Sequence, residues 1–389
     1  MIKITKKEDC CGCEACVQAC PQKCISFVED KEGFLYPLIN ETLCVRCGKC
    51  TKICPILNPR SEQKPISCVV SRNIDEKVRL DSSSGGAFSA LAERIIDEGG
   101  IVFGAIYDNQ WNVCHSEMTR TPEMGLLRTS KYVQSRIGDS FIKAKQYLDR
   151  NVKVLFSGTS CQIAGLRNFL NKDYENLYTI DVICHGVPSP LVWKRYMKEN
   201  SCGCSIVSVN MRDKFPNGWT DFHMTLRKKV GDVDLVYSNS HDKDAFMQLF
   251  LNDVCLRPSC YKCPAKGGKS GADITLADFW GAKVLYPDKN DEKGMSLVIT
   301  STSKGARLVD GADLESFPVE FDKAIKFNSS FYKSKQAPFI RRLFFYFLSY
   351  PHITINNLSK IILLQKRIDT IKRYPAFIFN KIVWKMRNV

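Results

Sequence analysis

The sequence predicts a protein of α+β and α/β character in three parts: a small cysteine-organised module, a larger mixed alpha/beta domain, and a basic helical C-terminal region. Three observations predict it. One cysteine pattern occurs twice between residues 10 and 54; from residue 66 onward short apolar strands run into glycine or serine turns and then helix-period segments; and beyond Phe331 lysines and arginines stand against a single acid, Asp369. The expected boundaries are 1–60, 66–335 and 336–389. At 389 residues, with 44% hydrophobic and 25% charged residues, the chain is long and apolar enough for more than one core.

The first part is read from its cysteines. Cys10, Cys13, Cys16 and Cys20 precede Pro21, and Cys44, Cys47, Cys50 and Cys54 precede Pro55, so each copy is C-x2-C-x2-C-x3-C-P. This is the spacing of a bacterial two-cluster ferredoxin, in which the fourth cysteine of each copy serves the other copy's cluster. Cys10, Cys13, Cys16 and Cys54 are therefore assigned to one 4Fe-4S cluster, and Cys44, Cys47, Cys50 and Cys20 to the other. A disulfide framework would require a secreted chain, and zinc knuckles need neither the trailing Cys-Pro nor the duplication. Cys11 and Cys24 fall outside the pattern and are expected to be spare thiols. Nineteen cysteines without an apolar leader at Met1 to Glu8 predict a reducing, cytoplasmic setting. No run of uncharged apolar residues reaches the length of a membrane-crossing helix.

Asn58 to Pro65, polar with two prolines, is a linker. Ile66 to Ser71 is the next strand. Phe88, Leu91, Ala92, Ile95 and Ile96 recur at helical spacing, so Ser82 to Gly86 forms the turn and N-terminus of an amphipathic helix. Free N–H groups and hydroxyls there suit a phosphate or a flavin pyrophosphate, and equally a plain serine cap. Gly99 and Gly100 end that helix and Ile101 to Ile106 follows as a strand. Residues 128–137 read as a polar loop.

Asn151 to Phe156 is a buried strand; Ser157 to Gln162 turns into a helix that runs through Leu170. This grammar places functional groups at the carboxyl end of a parallel sheet, and puts Cys161 at a helix N-terminus, where a thiolate is favoured. Leu177 to Ile183 repeats it, ending in Cys184 and His185, before a helix over Leu191 to Glu199. Cys260 and Cys263 form a chelating pair, and two thiolates from distant loops would complete a tetrad with them. Lys266 to Gly271, glycine-rich and basic, is compatible with phosphate; Ala272 to Asp278 and residues 295–300 are strands, and a helix begins near Ala306. Cys68, Cys114, Cys202 and Cys204 receive no role.

With these residues in view, the chain resembles the coenzyme F420 hydrogenase/dehydrogenase beta-subunit family in the version with an N-terminal ferredoxin module. The resemblance runs from Cys10 to about Lys335 and is carried by Ser83-Ser84-Gly85-Gly86, Ser130-Lys131-Tyr132-Val133, Gly158 to Leu166, Asp181 to Pro190, and Cys260 to Gly281. It implies FAD held by the mixed domain, making that a flavin-binding domain, beside a third 4Fe-4S cluster. It implies Cys161, Cys184, Cys260 and Cys263 as that cluster's ligands, with Cys255 in reserve, and points to Ser83, Ser84, Gly85, Gly86, Ser130, Lys131, Tyr132, Gly158 and Thr159 as flavin contacts. Lys131 and His185 are the candidate catalytic side chains. Ser160 stands where the family motif often has proline, a departure at the turn and not at Cys161.

Clusters move single electrons and a flavin handles one or two, so the expected activity is an oxidoreductase that exchanges a hydride with a small-molecule substrate. The family spans deazaflavin oxidoreductases, chlorophyll-pathway reductases and bacterial relatives tied to surface-polysaccharide synthesis. The alternative is an electron-transfer subunit that feeds a partner enzyme. A redox partner protein or reduced coenzyme is expected in either case. The formal net charge of +15, concentrated beyond Phe331, would suit an anionic membrane surface or an acidic partner, with nucleic acid least favoured, or simply a solvated helical face.

Overall fold

The computed structural model describes residues 1–364. In the first module, helix α1 (Ala15–Gln18), the hairpin β1 (Ile25–Glu29) and β2 (Leu35–Ile39), and helix α2 (Lys49–Lys52) surround the two cysteine loops. Both helices begin just inside a cysteine loop, so each copy's backbone turns around its own thiols before it becomes helical.

Beyond the linker come β3 (Ser67–Asn73), α3 (Glu76–Asp81), α4 (Ala87–Asp97), β4 (Ile101–Tyr107), β5 (Val113–Met118), α5 (Ser140–Asp149), β6 (Val154–Thr159), α6 (Ser160–Leu170), β7 (Leu177–Val182) and α7 (Pro190–Ser201). Three long antiparallel strands follow, β8 (Ser205–Asp213), β9 (His223–Val230) and β10 (Val233–Ser240), then α8 (Ala245–Leu251), β11 (Ile274–Asp278), the single turn α9 (Ala282–Leu285), β12 (Ser296–Thr300), α10 (Ser303–Asp310), β13 (Leu314–Pro318), α11 (Phe321–Ile325) and α12 (Arg341–Leu348).

The main sheet runs β13-β3-β12-β11-β7-β6-β4-β5, and the other large sheet is β10-β9-β8. The central strands β4, β6, β7 and β11 are parallel, with antiparallel strands added on both flanks. Side chains alternate across a strand, and here both faces are covered. Phe103 and Phe156 pack with Phe141, Ile163 and Leu166 on one face, while their neighbours Val102 and Leu155 pack with Leu91, Ile95 and Leu308 on the other. That double burial is why β6 reads as an apolar run and not as an alternation.

The cysteine module is packed onto the first of these faces. Cys11, Cys13, Ala15, Ala19 and Ile53 share a core with Phe141, Phe156 and Leu166. Glu14 accepts from the N–H groups of Ile137 and Gly138, and Gln18 from those of Phe141 and Ile142, so α1 caps the start of α5. The C-terminal region also joins a core: Phe344, Leu348, Ile355, Leu358 and Ile362 pack with Trp193, Tyr196 and Phe246. Arg341 is held by Glu32 and by the carbonyl of Leu256, which spends one cation of the basic region on an internal contact. The cations beyond residue 364 lie outside the described residues. Among those residues no helix is long and apolar enough to cross a membrane.

Candidate functional site

Three thiol groups and one large cavity make up the site. Cys10, Cys13, Cys16 and Cys54, with Cys11, line one small cavity in the first module; Cys20, Cys44, Cys47 and Cys50, with Cys24, line a second. Each cavity thus brings three cysteines of one copy together with the fourth cysteine of the other. Burial pushes the Cys16 thiol up to about 12, and the neighbouring charges of Cys10, Cys54 and Cys50 push the same way. Neutral buried thiols surrender their protons to iron when a cluster assembles.

Cys11 and Cys24 are not remote thiols. Cys24 Sγ lies 3.4 Å from Cys20 Sγ. Cys11 bridges the module to the sheet, its thiol in contact with both Cys13 and Cys161. The spacing rule is blind to this because the contact with Cys161 is made across the packed interface.

Cys161, Cys184, Cys260 and Cys263 meet above the carboxyl ends of β6 and β7. These strands are parallel and paired with Thr159 opposite Val182, so the residues two beyond each, Cys161 and Cys184, emerge side by side. Burial pushes Cys184 up to about 12, and the charges of Cys161 and Cys263 add to it; Cys263 rises to about 11 through burial and Cys161. Cys161 is raised, against the helix N-terminus expectation, because the Cys11 thiol and burial outweigh the N-terminal field. Cys255, the reserve, is fully buried in the apolar core beside Leu256. Among the described residues no three metal-type side chains close on a single-ion point; a cluster of several irons needs its thiolates spread wider than one ion does.

The large cavity measures about 690 Å³ and lies against this tetrad, with Cys184 and His185 in its wall. It is lined by Ser83, Ser84, Gly86, Ser130, Lys131, Tyr132, Gly158 and Thr159, which brings together stretches 75 residues apart. The first two stretches are joined directly: the Ser130 N–H donates to Ser83 Oγ at 2.7 Å. Gly85 is the exception. It faces the sheet, where a Cβ would lie 2.5 Å from the Ser71 carbonyl oxygen, and its role is to let the turn sit against β3 and β12.

Several residues that fix this turn were not legible in the sequence. Lys214 Nζ donates to the carbonyls of Arg79, Ser84 and Lys293, and Arg212 donates to the Ser83 carbonyl, to Tyr132 Oη and to Asp278. Both come from the end of β8 and its following loop, which carry no motif. His115 is buried under the cavity, with one ring nitrogen at Ser135 Oγ and the other at the Ser157 carbonyl; burial lowers it to about 4, so the ring is neutral. His185 bonds Asp253 Oδ1 at 2.6 Å, which fixes the orientation of its ring over Phe250. Lys266 donates to the carbonyls of Cys184 and Ser330, so this lysine of the basic glycine-rich stretch holds the tetrad loop.

Comparison with known proteins agrees with this geometry. Residues 151–321 match the family described as the C terminus of the coenzyme F420 hydrogenase/dehydrogenase beta subunit, and residues 9–57 match the 4Fe-4S dicluster domain. Over residues 151–321 the chain is thus similar to the coenzyme F420 hydrogenase/dehydrogenase beta subunit. A coenzyme F420-dependent sulfite reductase of Methanocaldococcus jannaschii is 25% identical over 311 residues, which is 79% of this chain and 46% of that protein. An uncharacterised ferredoxin of the same organism is 33% identical over 74 residues, 19% of this chain and 41% of the relative. The chain thus spans less than half the length of these relatives. A subunit of the xenon-derivatised F420-reducing NiFe hydrogenase complex of Methanosarcina barkeri superposes with a TM-score of 0.46 at 16% identity, over 69% of this chain and 89% of that one. The chain is thus related to iron-sulfur proteins of oxidoreductase type, with a 4Fe-4S dicluster domain matched at residues 9–57.

Proposed function

We propose that the chain is an iron-sulfur flavoprotein oxidoreductase that passes electrons between its ferredoxin-type clusters, a third 4Fe-4S cluster at Cys161, Cys184, Cys260 and Cys263, and FAD in the large cavity. The observation that carries this reading is shared lining: Cys184 belongs to the inner tetrad and to the cavity wall at once. An electron that reaches the tetrad is then already at the cavity.

The residues fit the cofactor. The volume suits a large organic ligand. Lys131 presents its ammonium to the cavity, bonded only to the Arg128 and Thr129 carbonyls and, among the described residues, to no carboxylate. Arg212 lines the same wall with its charge paired to Asp278. A buried ammonium without a carboxylate partner calls for an anion, which a pyrophosphate supplies. Ser83, Ser84, Gly86, Ser130, Lys131, Tyr132, Gly158 and Thr159 would hold it. When bound, FAD supplies the exchange between single electrons and a hydride. The protein's own part is to exclude water, to orient with Ser130 and Tyr132, and to hold His185 against Asp253 at the tetrad side of the cavity.

For the organic substrate we favour a deazaflavin-type coenzyme, since the matched family and the sulfite reductase relative both carry coenzyme F420 in their descriptions. The test is anaerobic purification with iron, sulfide and flavin quantified, followed by a screen of hydride donors. The reading requires bound flavin and reduction by a deazaflavin. Clusters without flavin would leave an electron-transfer subunit feeding a partner, and flavin that ignores deazaflavins would turn the search to surface-polysaccharide intermediates.

A further inference from the structure

Arg257 stands between the cysteine module and the inner tetrad. Its side chain is fully buried, 0% exposed. Nε donates to the Cys10 carbonyl at 2.8 Å, Nη1 to Gln134 Oε1 at 2.9 Å, and Nη2 to the Leu35 carbonyl at 2.9 Å and to Cys10 Sγ at 3.5 Å. Tyr36 and Phe34 flank the guanidinium, their ring centroids 4.4 and 5.5 Å away. Among the described residues it pairs with no carboxylate, and every oxygen it meets is neutral. Gly12, at φ +70°, leaves the room: a Cβ there would lie 2.9 Å from Arg257 Nη1 and 2.3 Å from Gln134 Nε2.

Arginine does not give up its proton inside a protein, and a buried charge without a counter-charge is strongly unfavourable. Glu14, Tyr36, Cys11 and Cys260 also lie within its field, but the Glu14 oxygens are taken up by the Ile137 and Gly138 N–H groups, and the thiolate centre that Arg257 bonds directly is the one at Cys10. From this placement we infer that Arg257 is the counter-charge of the cluster at Cys10, Cys13, Cys16 and Cys54, and raises its reduction potential. The inference rests on the ligand reading given above. Reduction adds one electron and no proton to the cluster; a fixed positive charge and an N–H···S bond stabilise that added charge. The same residue shapes the inner site, because its N–H donates to the Val187 carbonyl and its carbonyl accepts from Cys260, both at 2.9 Å. It is a positioning residue that ties one cluster's potential to the loop carrying the next cluster's ligands.

The test is EPR-monitored potentiometry on the full chain, purified anaerobically, with iron and sulfide counted. Arg257→Gln should move the reduction equilibrium of the cluster at Cys10 at least tenfold towards the oxidised form, which is 59 mV for a one-electron couple, and move the others less. Arg257→Lys should recover part of that shift, since it keeps the charge and loses the fork. If Arg257→Gln does not fold, Arg257→Lys alone should still show a smaller shift of the same sign. Unmoved potentials with full iron, in Arg257→Gln or in Arg257→Lys where only that variant folds, would reduce Arg257 to a latch between modules and overturn the proposal. A wild-type chain without iron at the ferredoxin cysteines would overturn the ligand reading too, and the iron count separates the two failures.

Discussion

Lys131 shows how a single side chain reports on its ligand. Burial lowers its ammonium from the usual 10.5 to about 7. Between those values the folded, ligand-free chain binds fewer protons than the unfolded one. Its contribution to stability therefore rises with pH through that window and is least favourable below 7, where a charge must be buried. An anion in the cavity reverses the balance by favouring the charged form. Binding of FAD should then take up a proton above pH 7, and affinity should fall by up to about tenfold per pH unit until the bound-state value is reached. Lys131→Met should weaken binding at pH 7 by about tenfold to a hundredfold and flatten the pH profile, both read from quenching of flavin fluorescence. A profile in Lys131→Met as steep as in the wild type would assign the proton elsewhere. The cysteines make a second test at this scale. Cys184→Ala should lose about four irons per chain with the two ferredoxin clusters kept, whereas Cys255→Ala, a core substitution, should retain all iron and cost only stability.

At the scale of elements, the contact between α6 and the first cysteine loop is a tight joint. Gly165 lies on the face of α6 that meets the module, and a Cβ there would sit 2.9 Å from both Cβ and Sγ of Cys13. Alanine is the better helix former by roughly 1 kcal/mol, so a net loss on Gly165→Ala isolates the packing. The expected outcome is destabilisation of about 1–3 kcal/mol in a denaturant titration, with slower electron passage between the module and the tetrad. A stabilised variant would show the interface to be slack. Legibility also divides at this scale. The parallel strands β6 and β7 and the helix α6 are plain in the sequence because double burial makes continuous apolar runs, and because Thr159 with Gln162 forms a capping box. The sheet β8 to β10 was not. Its strands keep one face in solvent, carry Lys228, Lys229, Asp232 and Asp234 around the β9–β10 turn, and lack a motif, so nothing in the sequence marks them as the source of Arg212 and Lys214. Likewise the spacing of Cys10 to Cys54 fixes which thiols pair, while the approach of Cys11 to Cys161 is a product of docking, which no local pattern records.

Across the whole molecule the three thiol groups differ in depth, and that order implies a route. Cys47 is exposed and Cys44 half-buried, whereas Cys10, Cys13, Cys16 and Cys54 are buried, and the half-buried inner tetrad reaches the cavity through Cys184. The cluster at Cys20, Cys44, Cys47 and Cys50 is thus the one an external one-electron carrier can approach. Leu43 and Val45, exposed beside it, with Arg46, Lys49 and Lys52, give that carrier an apolar contact ringed by cations. On the function proposed above, substrate at the cavity would reach the flavin from the opposite end of the same chain of centres. The two ends can therefore be cut apart. Cys47→Ala should abolish reduction of bound FAD by a one-electron protein donor, yet leave its reduction by a hydride donor within about twofold of wild type, since the cavity residues are untouched. The measurement is stopped-flow absorbance of the flavin with each donor in turn. Equal loss with both donors would mean that the outer cluster supports the fold of the cavity, and equal retention would mean that electrons enter at the inner tetrad without passing through the module at all.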